Sequence, residues 1–413
     1  MNSHALIEAA DRCVLCGLCS SHCPTYKLFR EEGESPRGRV MMSVALLRGE
    51  MEPSKRLVAH LDHCLLCRAC EKSCPSGVPY GEILDGAHAM LPSPAGAAYW
   101  LEQIALRPRL VALLADGAAL WRRLRLPLTA LGRAATSRLP KAGRVSSHYP
   151  AVGKKLGKVG LFLGCVAGPF DRQTHRDAAT LLSRLGYEVT VPQGQQCCGA
   201  LPQHHGNPER AKQLNRMNQE AFGGQQLDAI IFTSSGCGVQ LVEKGDLPAP
   251  AMEICQFLLQ SPGLDRLLFS PLPQQITLHH PCSLGNVLRG NRAVEALLER
   301  IPKIKITLLG PDGGCCGAAG SHRLREPETA DLLRQPKVES LLAAESTMLL
   351  STNYGCALHL AEGIEKMGAT VEVVHPVTLL VRQLDSRPSI RCRGSIASVV
   401  RGNDEVTGNN EAT

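Results

Sequence analysis

The sequence writes one cysteine pattern twice, and that pattern constrains the fold more than anything else in it. Cys13, Cys16, Cys19 and Cys23 are followed by Pro24; Cys64, Cys67, Cys70 and Cys74 are followed by Pro75. Each run is C-x2-C-x2-C-x3-C-P, the spacing with which bacterial ferredoxins hold [4Fe–4S] clusters. Three close thiolates take three corners of a cubane, so a fourth must arrive from elsewhere. In two-cluster ferredoxins the last cysteine of each run serves the other cluster. That rule assigns Cys13, Cys16, Cys19 and Cys74 to one cluster, and Cys64, Cys67, Cys70 and Cys23 to the other. Zinc fits poorly, because structural zinc sites use paired C-x2-C elements with a longer spacer. Short apolar periodicities predict helices over Ala5–Ala10, Val40–Leu47 and Leu57–Leu65, with a turn at Ser35-Pro36-Arg37-Gly38. A helical two-cluster ferredoxin domain is therefore expected over residues 1–95, rather than a β-rich one.

From about residue 157 a longer repeat takes over. Lys158–Leu163 and Gln275–His279 read as buried strands, ending near Cys165 and Cys282. Helices over Arg176–Leu185 and Arg292–Arg300 follow. Strands over Glu188–Val191 and Lys305–Leu309 then run into Cys197-Cys198-Gly199 and Cys315-Cys316-Gly317. Further strands at Ala229–Thr233 and Thr347–Ser351 end at Gly236-Cys237 and Gly355-Cys356. Met252–Leu259 matches Val373–Leu380. Cys282 follows Cys165 by 117 residues, Cys315 follows Cys197 by 118, and Cys356 follows Cys237 by 119. Near-constant offsets over alternating strands and helices predict two α/β units with mainly parallel sheets, over 157–265 and 272–385. The expected fold is thus an α+β multidomain chain: a helical ferredoxin domain followed by two repeated α/β domains. Residues 386–413 read as a poorly ordered tail.

Composition sharpens the chemistry. The 413 residues include 18 cysteines, and Met1-Asn2-Ser3-His4 opens no secretory signal. Clustered cysteines in a reducing compartment mean metal or redox work rather than a disulfide framework. No apolar run is long enough for a membrane span. The reading is cytoplasmic, with peripheral contact to the cytoplasmic face of the inner membrane left open. The formal net charge of +7 gathers in residues 101–155, where eleven Lys and Arg face only Glu102 and Asp116. The connector over 96–156 reads as one or two amphipathic helices with a basic face that includes Arg122, Arg123 and Arg125. It is either a solvated link or a docking surface for an acidic partner or anionic lipid. Nucleic acid is not expected as a partner.

Each repeat offers four thiols from converging loop ends: Cys165, Cys197, Cys198 and Cys237, then Cys282, Cys315, Cys316 and Cys356. Such soft donor sets hold zinc or an iron–sulfur cluster; inert core thiols are the alternative. Gly199, Gly236, Gly317 and Gly355 would let the backbone come close. Cys255 and Cys392 have no counterparts and read as packed residues. His204, His205, His279, His280 and His375 lie near the loop ends, as structural residues or as ligands.

The tandem C…CCG…C repeats resemble the cysteine-rich CCG domains of heterodisulfide reductase and its relatives. Preceded by a two-cluster ferredoxin domain, they resemble the iron–sulfur subunits of glycolate oxidase (glycolate dehydrogenase) over nearly the whole chain. The stretches that carry this are Cys23-Pro24-Thr25-Tyr26, Pro36-Arg37-Gly38-Arg39, His60-Leu61-Asp62-His63-Cys64 and Cys74-Pro75-Ser76-Gly77-Val78. The resemblance implies an electron-transfer subunit. A partner flavoprotein carrying FAD would oxidise glycolate to glyoxylate, and electrons would pass through this chain towards a quinone. No catalytic residue is expected here. Related subunits serve lactate and glycerol-3-phosphate dehydrogenases. Some CCG domains end in C-x-x-C, where this chain has Ser234 and Asn353, so each set has four thiols rather than five. No G-x-G-x-x-G or Walker A sequence supports a self-contained nucleotide site. An alternative of another class is a stand-alone reductase doing thiol or disulfide chemistry at the CCG repeats.

Overall fold

Serine caps start the two helices between the cysteine runs. Ser35 Oγ accepts from Gly38 N at 2.9 Å, with Pro36 in the first helical position, and the helix runs Pro36–Leu47. The predicted turn at 35–38 is therefore the cap and first turn of this helix, because Pro pre-sets its φ and costs no bond there. Ser54 caps Lys55–Asp62 in the same way. That helix stops before Leu65, which enters the cysteine loop. With Ser3–Ala10, Pro24–Phe29, Ala69–Lys72 and Tyr80–His88, these helices make up the N-terminal unit, which has no strand among its described residues. Its core is Leu61, Ile83, Leu84 and Ala87, each 1% exposed or less.

This computed structural model describes residues 3–92, 97–123, 144–310 and 314–385. The expected tail and Cys392 lie outside them, as do Arg125 and the side chains of Arg122 and Arg123. Two helices, Ala97–Ala105 and Pro108–Arg123, lead from the N-terminal unit, and Arg172 pairs with Asp116 at 2.6 Å to hold the second against the first repeat. Their exposed residues include Trp100, Leu113, Leu114 and Leu120. Among the described residues no helix is long and apolar enough to cross a membrane.

The two repeats are α/β units. The first sheet contains β1 (His148–Tyr149), β2 (Gly157–Phe162), β3 (Tyr187–Thr190), β4 (Ala229–Phe232) and β5 (Ala251–Glu253), in the order β1-β3-β2-β4-β5. The second contains β6 (Gln275–His279), β7 (Lys305–Leu308), β8 (Met348–Ser351) and β9 (Glu372–Val374), in the order β7-β6-β8-β9. All pairings are parallel except that of β1 with β3. Strand β1 has no partner in the second sheet, and it arises in the stretch read as connector. Aliphatic residues at 159, 161, 230 and 231, and at 276, 278, 349 and 350, are fully buried, as central parallel strands covered on both faces require.

The repeats exchange helices. Pro376–Gln383, which ends the second, packs on Arg172–Leu185 of the first; Ile254–Gln260, which ends the first, packs on Asn291–Leu298 of the second. One apolar core therefore runs through both, from Val159 and Leu182 to Leu278 and Leu380. The N-terminal unit is tied to both repeats. Arg68 pairs with Glu243 at 2.6 Å, His204 with Asp85 at 2.9 Å, and Arg325 with Asp62 at 3.2 Å.

Candidate metal centres

Both ferredoxin-type runs curl in the same way. Leu15 and Gly17 flank Cys16 with φ of 57° and 81°, and Leu66 and Arg68 flank Cys67 with φ of 47° and 55°. Left-handed backbone at leucine and arginine costs about 1–3 kcal/mol per residue and persists where the surroundings impose it, as at ligand clamps. Arg68 is held in place by Glu71 Oε2 at 2.6 Å as well as by Glu243.

Cys23, Cys64, Cys67 and Cys70 line one pocket, with Pro24, Arg39 and Tyr80 among its other walls. Four thiols around one space suit a four-cornered cluster. Cys23 comes from the first run and the other three from the second. Burial pushes the Cys67 and Cys70 thiols well up, and the nearby sulfurs add to this. Burial also raises the Cys64 thiol, against the charge of Arg39. Tyr80 donates its hydroxyl to Cys64 Sγ at 3.3 Å, and Arg39 Nη1 donates to Cys23 Sγ at 3.7 Å.

Arg39 is 1% exposed. It pairs with Glu34 and donates to His60 O at 2.7 Å and Thr25 Oγ1 at 3.0 Å. Burial opposes its charge, but the phenol, thiols and carboxylate around it keep it a cation. Glu34 Oε1 meets His60 Nδ1 at 2.7 Å and His63 Nδ1 at 2.9 Å. The sequence reading gave Arg39, Glu34 and Tyr80 no role. The signal available for Arg39 was its place in the Pro36–Arg39 stretch, beside the first cysteine run.

Cys13, Cys16 and Cys19 lie near the surface, and Cys16 is exposed. Burial raises the Cys19 thiol, and Cys13 and Cys16 act on it through charge. Cys13, Cys19 and Cys74 pack against the same N-terminal core. Around Cys16, Val14 is 70% exposed and Leu18 58%.

The repeats bring their thiols closer together. In the first, neighbouring thiols act on one another in series: Cys165 with Cys197, Cys197 with Cys198, and Cys198 with Cys237. In the second, Cys282, Cys315, Cys316 and Cys356 form the same chain. All eight are buried or half-buried. The contact with Cys197, then burial, raises the Cys165 thiol; the contact with Cys315, then burial, does the same for Cys282. Gly199 and Gly317 sit at φ +91° and +87°, where a Cβ would come within 3.2 Å of Ala211 O and 2.7 Å of Ala330 O. These two glycines are required by the loop. Gly355 is not: a Cβ there would meet only an ordinary contact with Asn353.

The second set lies beside the ferredoxin-type pocket. Cys67 feels the charge of Cys282, Cys315 feels that of Cys67, and Asn286 Nδ2 donates to Cys67 O at 2.8 Å. Ser234 and Asn353 meet each other at 3.3 Å where the two repeats abut. Cys255 is buried in the shared core, as expected of a packed residue. Four of the five histidines have other partners: His204 has Asp85, His280 has Glu295 at 3.0 Å, His205 has Ser321 at 3.1 Å, and His375 has Thr233 O at 2.9 Å.

Comparison with known proteins agrees with this architecture. A 4Fe-4S dicluster domain matches residues 9–78, and a cysteine-rich CCG domain matches twice, at 159–242 and 276–361. The glycolate oxidase iron–sulfur subunit of Escherichia coli is 30% identical, over 84% of this chain and 89% of that protein. The probable glycolate oxidase iron–sulfur subunit of Bacillus subtilis is 27% identical, over 91% of this chain and 94% of that one. Lactate utilization protein A of Shouchella clausii is 25% identical over 54% of this chain. With its dicluster domain and its two cysteine-rich repeats in the same order over most of its length, the chain belongs to the family of glycolate oxidase iron–sulfur subunits.

Proposed function

We propose that the chain is the electron-transfer subunit of a complex whose flavoprotein oxidises glycolate to glyoxylate. The observation that carries this is the similarity to the glycolate oxidase iron–sulfur subunits over most of the chain; the pocket shared by Cys23 with Cys64, Cys67 and Cys70 supports cross-ligation between the two runs. In this reading those four thiolates hold one [4Fe–4S] cluster, and Cys13, Cys16, Cys19 and Cys74 hold the other. When bound, such clusters accept and release single electrons. Arg39 sets a fixed positive charge against Cys23, and Tyr80 a hydrogen bond on Cys64. Both lower the cost of added negative charge in a buried site. The exposed Cys16, between Val14 and Leu18, suits the end of the relay that meets a partner. The eight thiols of the repeats are read as ligands for further metal. FAD is assigned to the partner, and a quinone or other membrane acceptor to the far end.

The test is activity by parts. The chain alone should not oxidise glycolate, because removing a hydride equivalent needs a two-electron acceptor. Adding the flavoprotein subunits should give glycolate-dependent dye reduction, and Cys67→Ser should stop electron flow to quinone while substrate still reduces the flavin. Substrate turnover by this chain alone would overturn the reading. The similarity to lactate utilization protein A favours lactate as the second reading. A complex that prefers lactate to glycolate would select it.

A further inference from the structure

Among the described residues, His279 is the one of these five histidines grouped with cysteine thiols at metal-ligand spacing. It ends β6 and is 1% exposed. Its Nδ1 meets Ser351 Oγ at 3.1 Å, and its Nε2 has no hydrogen-bond partner among the described residues. A buried ring nitrogen without a partner costs about 1–3 kcal/mol, so it calls for an explanation. The ligand atoms of His279, Cys316 and Cys356 all lie within 4.8 Å of one another. A tetrahedral ion with Zn–S bonds of about 2.3 Å sets its ligand sulfurs about 3.8 Å apart, close to that spacing. Cys282 and Cys315, which act on Cys356 through charge but lie outside that group, are the candidates for a fourth donor.

The first repeat lacks this arrangement. Strand register pairs Phe162 with Phe232 in the first sheet and His279 with Ser351 in the second, at matching places. Phe162 and Phe232 pack in one apolar cluster with Cys165, Cys197 and Cys198. An apolar pair in one repeat is thus an imidazole and a hydroxyl in the other. A Nδ1–H donated to Ser351 Oγ leaves the Nε2 lone pair free, the way metal-bound histidines are oriented by a second partner.

We infer that the second repeat holds one zinc-like divalent ion through His279 Nε2, Cys316, Cys356 and a thiolate of the Cys282–Cys315 pair. The first repeat, with Phe162 in place of the histidine, does not build this site. Binding forms three metal–sulfur bonds and one metal–nitrogen bond, and the three thiols release their protons to solvent. The inference rests on the reading of the repeat cysteines as metal ligands, and is independent of the substrate.

Zinc and iron analysis with zinc-edge X-ray absorption on the full chain, purified without oxygen, tests it. The expected result is about one zinc per chain, with three sulfurs at about 2.3 Å and one nitrogen at about 2.0 Å. His279→Ala should lose the zinc, and His279→Cys should keep it with an all-sulfur shell, which separates lost ligation from lost folding. Ser351→Ala should weaken zinc binding by about 10–100-fold. His280→Ala, whose ring faces Glu295, should change nothing. An all-sulfur shell in the parent protein overturns the inference. So does zinc unaffected by His279→Ala, or additional iron at this site with zinc absent. Iron on the ferredoxin-type cysteines is counted separately, so failure of the zinc site leaves that reading standing.

Discussion

The two CCG repeats share the order of four parallel strands, a cysteine chain and a required glycine, yet they differ where their strands end. Behind its thiols the first repeat has Phe162 and Phe232; the second has His279 and Ser351. At the start of its last helix the first repeat caps with Glu253, and the second with His375. Cys282 of the second repeat acts on Cys67 through charge. A duplicated scaffold has kept the residues that shape its loops and changed those that surround the sulfurs. The difference teaches that a shared set of four cysteines can sit in two different surroundings, apolar in one repeat and polar in the other.

The largest effect should come from the apolar pair. Phe232 is 1% exposed, and its ring fills the space beside Gly238. Phe232→Ala should cost about 3–5 kcal/mol in denaturant unfolding. Ser351→Ala, at the matching place, should cost only about 1 kcal/mol in the metal-free chain. Equal losses would erase the contrast between the repeats.

The caps should separate them by pH. Glu253 is fully buried, its Oε2 accepts from Cys255 N at 2.7 Å and Gln256 N at 3.1 Å, and burial pushes its carboxyl up to about 7. The folded state therefore prefers the protonated acid. That stability is fully present below the unfolded value of 4.5 and is lost as pH rises through about 7. Glu253→Gln should remove a pH dependence worth about 3 kcal/mol between pH 5 and 8. An unchanged pH profile of unfolding would refute this.

The CCG glycines should rank by crowding. Gly317→Ala should cost about 2–3 kcal/mol and Gly199→Ala about 1–2 kcal/mol, since both force alanine into left-handed backbone. The former also brings a Cβ within 2.7 Å of a carbonyl oxygen, against 3.2 Å for the latter. Thermal unfolding of the two variants checks the order.

Much of this was legible in the sequence because it is written locally. Cysteine spacing carried the two runs, and the offsets of 117 to 119 residues carried the repeat, its strands and its loops. What stayed hidden depends on the third dimension. Ser35 to Gly38 has turn composition, and only the cap bond and Pro36 at the first helical position make it a helix start. Two-residue β1 has too little sequence for any periodicity. The sequence places Arg39 in the Pro36–Arg39 stretch, but only the fold shows that it is buried with Glu34, thirty residues before the second cysteine run. In the sequence His279 is like four other histidines, and what sets it apart is that its ring nitrogen lies within 4.8 Å of the Cys316 and Cys356 sulfurs. Its signal was nevertheless present: setting KVGLF against QITLH puts Phe162 opposite His279.

The central claim is that the two cysteine runs share their last ligands. Iron analysis with Mössbauer and EPR spectroscopy of Cys23→Ser, beside the parent chain, tests it most directly. The account predicts about eight irons in the parent, as two four-iron clusters require. In the variant it predicts a perturbed cluster on Cys64, Cys67 and Cys70, and an intact one on Cys13, Cys16 and Cys19. A variant altered only at the Cys13 run, or a parent chain with zinc rather than iron on these eight cysteines, would contradict it.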